Sequence, residues 1–251
     1  MKKWIKRILL SLLVLVLLCA GVFAGFYMTR FQTMGSIHKT TSNSDYNLYT
    51  MDVKYDYSLQ RVIDAQFTDT QTMIDAVVKE SLPLLPVHIQ VPSFGCSAFT
   101  MPAADGSVLM GRNYDFKNDT SALLVRCNPK DGYASVAFAA LDNVSANAPE
   151  SLAQKMACLT APFICLDGMN EKGVSIAVLT LDSQPTVQSS GKPTIATSMA
   201  IRLVLDKAAT TQEAVDLLKG YDMIAANGRD YHFYITDASG DGRVVEYDCD
   251  N

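Results

Sequence analysis

Three residues in the middle of the chain have the types and spacing that suit a thiol nucleophile. Cys96 lies 16 residues before Arg112 and 19 residues before Asp115. A fixed positive charge beside a thiol favours the thiolate, so we expect Arg112 to lower the pKa of Cys96. These side chains predict nucleophilic catalysis at Cys96.

The segment between Cys96 and Asp115 predicts the β-hairpin that must position them. Asp105-Gly106 is a strong hairpin signal, with strand-like runs on both sides. A two-residue loop would set Cys96 opposite Asp115. A three-residue loop would place Arg112 on the Cys96 face and leave Asp115 out, unless a bulge or strand end near Asn113 brings both in. The sequence leaves both registers open.

The base for the Cys96 thiol is not a recognisable histidine. The chain has three histidines, far apart and without a motif around them: His38, His88 and His232. If the Gly95–Cys96 peptide bond were cut, the new α-amine of Cys96, with a pKa of about 7.7 to 8.0, could accept the thiol proton. Asp115 would hold that amine.

The other cysteines predict no metal site. The six cysteines include no C-x-x-C pair and zinc-ligand spacing is absent, so no cofactor is expected. Cys127 and Cys165 lie in apolar strand-like runs and are expected to be buried. Cys19 lies in the N-terminal apolar block, which leaves at most five cysteines outside it. Disulfides among the last four of these remain open: Cys127, Cys158, Cys165 and Cys249.

The first thirty residues differ in charge from the rest of the chain. They contain five Lys or Arg and no acidic residue, whereas the rest has 16 Lys or Arg against 26 Asp or Glu. Residues 8–28 are uncharged and apolar, and as a helix they could cross a hydrocarbon core. We expect residues 1–30 to be a single-pass signal anchor in the cell membrane, with the domain extracytoplasmic. The alternative is a signal peptide cut before Gly25, which would give a secreted protein.

Composition and periodicity divide the remaining chain. Residues 31–45 are small and polar, which predicts a linker, and residues 46–95 form a propeptide-like segment with a strand at 47–55 and a helix capped by Thr68. Residues 96–251 alternate in seven short strand-like runs, interrupted by helices at 197–207 and 211–219. This order predicts an α+β fold with helices packed on a largely antiparallel sheet. The acidic domain lacks the basic footprint that nucleic acid requires.

Two motifs in the sequence are similar to those of a known protein family. Arg112 and Asp115 stand in Gly-Arg-Asn-Tyr-Asp-Phe after Cys96, and Asp-Gly-Met-Asn-Glu-Lys-Gly at 167–173 leads into a strand. From Cys96 onward the sequence resembles the choloylglycine hydrolase and penicillin V acylase family of linear amide C-N hydrolases, which are N-terminal nucleophile (Ntn) hydrolases. The resemblance implies an αββα four-layer sandwich.

The resemblance also implies roles for individual residues. Cys96 would be the nucleophile and, once Gly95 is cut away by self-cleavage, its amine the base; Asp115 would bind that amine and Arg112 would sit beside the thiol. Thr180 falls where relatives place an asparagine or tyrosine that helps form the oxyanion hole or contacts substrate. Family members also have a later asparagine and arginine in the active site. Because this chain stops at Asn251, we expect it to lack the closing C-terminal strands.

Three hypotheses for function follow. The first is an extracytoplasmic amidohydrolase that cleaves a linear acyl amide of the bile-salt, penicillin V or N-acyl amide type through an acyl-enzyme on Cys96. The second is a non-catalytic, membrane-anchored binding domain that retains the fold. The third is a His-dependent cysteine protease. The expected partners are a small acyl-amide substrate, the membrane and, as an open option, further copies of the chain.

Overall fold

Twelve β-strands lie in the part of the chain that a computed structural model describes, which comprises residues 2–42, 47–85, 96–115, 120–225 and 228–248. The strands before the helix pair are β1 (His38–Ser42), β2 (Asn47–Asp52), β3 (Cys96–Pro102), β4 (Val108–Tyr114), β5 (Ala122–Cys127), β6 (Ser135–Ala140), β7 (Asp167–Asn170), β8 (Ser175–Leu181) and β9 (Thr194–Ala196). Those after it are β10 (Asp222–Ile224), β11 (Asp230–Thr236) and β12 (Gly242–Glu246).

The helices are fewer and mostly short. They are α1 (Lys2–Gly35), α2 (Leu59–Ile63), α3 (Thr70–Ser81), α4 (Leu152–Ala157), α5 (Thr197–Lys207) and α6 (Thr211–Leu218), with 3-10 turns at Leu141–Val144 and Cys158–Phe163. The helix predicted after Thr68 begins one residue later than expected. Its cap is Asp69, whose carboxylate accepts the backbone N–H of Thr72 at 2.9 Å.

One sheet of eight strands organises the fold, in the order β1-β2-β5-β6-β7-β8-β11-β12. Its neighbouring strands run antiparallel, except that β2 and β5 run parallel. The α+β prediction with a largely antiparallel sheet is confirmed. Two further pairs, β3 with β4 and β9 with β10, are separate two-stranded sheets.

The two faces of the large sheet differ. On β6, Ala137 and Ala139 are buried, whereas the alternating Val136 and Phe138 are about two-fifths exposed, at 38% and 41%. Helix α5 and the 3-10 turn Cys158–Phe163 pack on the buried face, and the β3–β4 hairpin lies on the other, which we call the open face. The described residues thus contribute a helix layer, a sheet and a hairpin.

The N-terminal helix extends beyond the predicted anchor. Residues 3–35 are long and apolar enough to cross a membrane. The structure differs here from the linker predicted for 31–45, because α1 continues to Gly35 and residues 38–42 pair with β2 as an edge strand. Met34 and Ile37 are buried against the domain. Small polar residues suit a solvent-facing edge strand as well as a linker, so composition alone did not separate the two.

Candidate active site

The β3–β4 hairpin places Cys96 and Arg112 on one face. A three-residue loop joins the strands, with Gly106 in the left-handed region at φ 84° and the Ala103 N–H donating to the Ser107 carbonyl at 2.8 Å. Cys96 therefore pairs with Tyr114, and Ala98 with Arg112. Of the two registers left open by the sequence, the three-residue loop is confirmed.

Arg112 connects the thiol to the large sheet. Its Nη2 donates to Cys96 Sγ at 2.8 Å and to the Val178 carbonyl at 3.3 Å. Its Nε lies 3.0 Å from Asp167 Oδ2. The guanidinium also lies 5.4 Å from the centroid of the Tyr114 ring. One planar side chain thus fixes the position of the thiol relative to β7 and β8.

The pKa of the Cys96 thiol differs from the value expected from the sequence. Burial raises the pKa of the Cys96 thiol to about 11, although Arg112 acts in the opposite direction. The negative charge of Asp167 also raises this pKa. Arg112 lowers the pKa of Cys96, as expected, but loss of hydration outweighs the neighbouring guanidinium, so the net pKa of this thiol in the uncut chain is raised.

The carboxylate that faces Arg112 is Asp167, which is not among the predicted site residues. Asp167 is the first residue of β7, and its side chain is 15% exposed. Burial raises the pKa of Asp167 to about 6, while the Arg112 guanidinium opposes that rise. The sequence at 167–173 is typical of a simple turn, and its periodicity does not predict a strand. The signal that could have identified Asp167 was its position at the start of the Asp-Gly-Met-Asn-Glu-Lys-Gly motif.

The rest of that motif holds Asp167 in place. A Cβ on Gly168 would lie 2.6 Å from the Val136 carbonyl and 2.7 Å from Leu205 Cδ1, so glycine is required for this close approach. Asn170 is buried and donates from Nδ2 to the carbonyl of Ala208 at 2.7 Å. Its Oδ1 accepts the backbone N–H of residues 172 and 174 at 3.0 and 3.1 Å. The motif is therefore a short strand and turn anchored to the end of α5.

The other predicted site residues lie elsewhere. Asp115 is exposed and accepts a hydrogen bond from Asn113 Nδ2. Thr180 is half-buried and pairs with Tyr231. Because Asp167 pairs with residue 177, strand alternation places Thr180 on the opposite sheet face from Asp167. Gly95 lies outside the described residues. The functional roles of Asp115, Thr180 and Gly95 stay predictions.

A cavity of about 640 Å³ opens between the hairpin and the open face. Arg112 and Asp167 line it together with mainly apolar side chains, among them Leu109, Met110, Val136, Phe138 and Met169. The same ion pair also lines a smaller cavity of about 190 Å³. An apolar cavity with a few convergent polar groups is typical of a small-molecule site.

The remaining candidate groups that the structure describes lie away from this cluster, and His88 lies outside the described residues. His232 Nδ1 lies 3.0 Å from Glu246 Oε1 on the neighbouring strand. Cys127 and Cys165 are buried, as predicted. The described cysteines are free of disulfides, and Cys249 lies outside the described residues.

Solved structures of two enzymes are similar to part of this chain. Penicillin V acylase from Agrobacterium tumefaciens is similar in structure, with 23% identity, a TM-score of 0.42, and coverage of 60% of this chain and 46% of that one. A mutant of conjugated bile acid hydrolase from Clostridium perfringens gives 22% identity, a TM-score of 0.43, and coverage of 61% and 48%. The chain spans about half the length of these solved structures. No curated protein matches it.

Family membership rests on a longer match. Residues 96–251 match the linear amide C-N hydrolases of the choloylglycine hydrolase family. This match covers more than half of the chain and includes Cys96, Arg112 and Asp167. The chain therefore belongs to the choloylglycine hydrolase family of linear amide C-N hydrolases.

Proposed function

We propose that the protein is an amidohydrolase that cleaves the C-N bond of a linear acyl amide through an acyl-enzyme on Cys96. The observation that carries this proposal is the position of Arg112, whose guanidinium contacts Cys96 Sγ and Asp167 at 2.8 and 3.0 Å. The family to which the chain belongs supports the same reaction class.

The first step would be self-cleavage before Cys96. The thiol sulfur attacks the carbonyl carbon of Gly95, the C-N bond of that peptide breaks, and the thiol proton passes to the new α-amine. Water then hydrolyses the thioester, which gives a carboxylate on Gly95 and restores the thiol. Arg112 keeps Sγ at the start of β3, where this attack begins. The raised pKa of the uncut thiol favours the neutral form, so the step would be slow at neutral pH.

Turnover would use the amine that this cut creates. The α-amine takes the proton from Sγ as the sulfur attacks the carbonyl carbon of the substrate, and the same proton passes to the departing amine. Water, deprotonated by the α-amine, then releases the acid from the thioester. Asp115 is proposed to bind the α-amine. Thr180 keeps its predicted role at the substrate or the developing oxyanion as a separate proposal, because its position in β8 places it on the opposite sheet face from Asp167 and the acyl cavity.

The apolar cavity beside Arg112 is the proposed acyl site. Val136, Phe138 and Met169 present apolar surface there, which suits the acyl part of a bile salt, a penicillin V or an N-acyl amide. The site is proposed to lie outside the cytoplasm, with α1 as a single-pass anchor. Signal-peptide cleavage is the alternative, and the mass of the N-terminal fragment distinguishes the two.

Intact mass and turnover test the proposal together. The full chain in membranes should give a species that begins at Cys96, and Cys96→Ala should abolish that species and all hydrolysis. Cys158→Ala removes a buried thiol that does not contact Arg112, and it should be cut normally. A panel of conjugated bile salts, penicillin V, acyl-homoserine lactones and fatty-acid amides then identifies the acyl class. An active but uncut chain would overturn the mechanism.

A non-catalytic binding domain is the second candidate. The Cys96 thiol is only partly exposed and its pKa is raised, and both features favour this candidate. It requires that the chain stay uncut and that iodoacetamide fail to modify Cys96 in the folded protein. A His-dependent protease is the third candidate, and loss of activity in a folded His232→Ala variant would support it.

A further inference from the structure

The segment that precedes Cys96 supplies an internal strand of the large sheet. Strand β2 lies between β1 and β5 and pairs in parallel with β5 along five residue pairs, from Leu48↔Ala122 to Asp52↔Arg126. Removal of residues 47–85 would therefore leave β5 with one edge of unpaired N–H and C=O groups. A segment that is discarded after processing would not be expected in this position.

The same segment also supplies part of the hydrophobic core. Thirteen of its apolar side chains are buried in the cluster that includes residues of β5, α5 and the 3-10 turn at 158–163. They are Tyr49, Met51, Tyr55, Tyr57, Leu59, Val62, Ile63, Phe67, Met73, Ile74, Val77, Val78 and Leu82. Dissociation of the segment would expose these side chains and their partners to water together.

Polar contacts fix the segment to residues after Cys96. The Tyr55 hydroxyl donates to the Leu159 carbonyl, and the Tyr57 hydroxyl donates to Asp206 Oδ1 at 3.1 Å. Asp206 in turn pairs with the fully buried Arg202 at 2.7 Å. These contacts lie inside the fold, where loss of one partner leaves a buried polar group unsatisfied.

The segment is bound equally closely to helix α1. Arg30, near the end of that helix, is buried and donates from Nε to the Ser81 carbonyl at 2.6 Å and from Nη2 to the Glu80 carbonyl at 3.0 Å. Its guanidinium lies 4.9 Å from the centroid of the Tyr55 ring. Thr33 Oγ1 accepts the backbone N–H of Lys54 at 2.8 Å.

From these contacts we propose that residues 47–85 are a permanent subunit of the domain. After the cut before Cys96 they stay bound without a covalent link, and they hold the fragment that begins at Cys96 on helix α1. The mature protein is then a two-chain assembly retained at the membrane. This inference rests on the proposed self-cleavage for the origin of the two chains.

Membrane fractionation of the full chain, tagged at both ends, tests the proposal. The C-terminal fragment should remain in the pellet with the N-terminal fragment after salt and alkaline carbonate washes, and only urea should release it. Release of the C-terminal fragment by the salt wash would overturn the proposal.

A second arm separates this proposal from the self-cleavage. Cys96→Ala, with a protease recognition sequence inserted between residues 85 and 96, can be cut by added protease even if the chain never cuts itself. The fragments should again stay together in the pellet. An uncut parent chain would contradict self-cleavage alone, whereas separation of these two fragments would contradict the permanent subunit.

Paired variants test the contacts themselves. Tyr55→Phe with Tyr57→Phe removes the two hydroxyl contacts across the cut, and this double variant should release the C-terminal fragment at a lower urea concentration. Lys54→Ala is the matched control, because Lys54 is half-exposed and its ion-pair partner, Asp52, lies in the same segment. A double variant that releases the fragment at the parent's urea concentration would count against the proposal.

Discussion

Arg112 Nε lies 3.0 Å from Asp167 Oδ2, and the two side chains are only 9% and 15% exposed. The same guanidinium donates to Cys96 Sγ, so the carboxylate acts on the nucleophile through the arginine. Removing one member of a buried ion pair leaves the other charge without compensation. The pair therefore links the reactivity of the thiol to the stability of the sheet.

Shortening Arg112 should slow the reaction. Hydrogen bonds to charged groups contribute about 1.5–3 kcal/mol, which corresponds to roughly a 10- to 100-fold loss of kcat/KM in Arg112→Ala. Arg112→Lys should fall in between, because an ammonium keeps the charge but not the planar fork. Arg126→Lys changes a half-exposed pair with Asp52 and should leave the rate unchanged. Equal rates for Arg112→Ala and the parent would remove Arg112 from the mechanism.

Asp167→Asn should make the uncut thiol more reactive. The negative charge of Asp167 contributes to the raised pKa of Cys96, so its removal lowers that pKa and increases the thiolate fraction at a given pH. Iodoacetamide modification of Cys96, followed by peptide mass mapping in a Cys19→Ala background, measures this change. Asp216→Asn, on the exposed face of α6, is the control. A slower reaction in Asp167→Asn than in this control would contradict the electrostatic argument.

The stability of the fold should depend on pH through Asp167. Its folded pKa of about 6 lies above the unfolded value of about 3.9, so between these values the folded state holds a proton that the unfolded state has lost. The contribution of Asp167 to the free energy of unfolding is thus full below about pH 4 and is lost as the pH rises towards 6. Urea unfolding in a Cys96→Ala background should show a shallower decline between these pH values in Asp167→Asn than in Asp216→Asn. Parallel pH profiles would exclude this contribution.

Gly168→Ala should destabilise the strand that carries Asp167. The added Cβ would lie 2.6 Å from a backbone carbonyl, which cannot move as a flexible side chain does. Overpacking of this kind costs about 1–3 kcal/mol, measurable as a lower urea midpoint. Gly35→Ala meets nothing within 4 Å and should not lower the midpoint. A Gly168→Ala protein as stable as the parent would show that β7 can shift to accept the extra carbon.

The two hairpin strands of the site could be predicted closely from the sequence, but their register and the carboxylate partner of Arg112 on β7 could not. Strand periodicity predicts β4 and β5 with their observed bounds, because alternation and turn residues mark both ends. The register depends on whether the loop at Gly106 has two or three residues, which is a property of backbone dihedrals. Asp167 was missed because β7 has only four residues and places its carboxylate through pairing with β6 and β8.

The isolation of the hairpin that carries Cys96 affects how often that hairpin opens. Strands β3 and β4 form a two-stranded sheet of their own, and isolated hairpins are marginally stable in water. Their backbone amides should exchange with solvent deuterium sooner than those of β8, which is paired on both sides. Arg112 then restrains the position of the hairpin, in addition to its electrostatic effect on the thiol. Its contacts with Asp167 and Val178 join a separately opening unit to the rigid sheet and set how often the thiol leaves its aligned position.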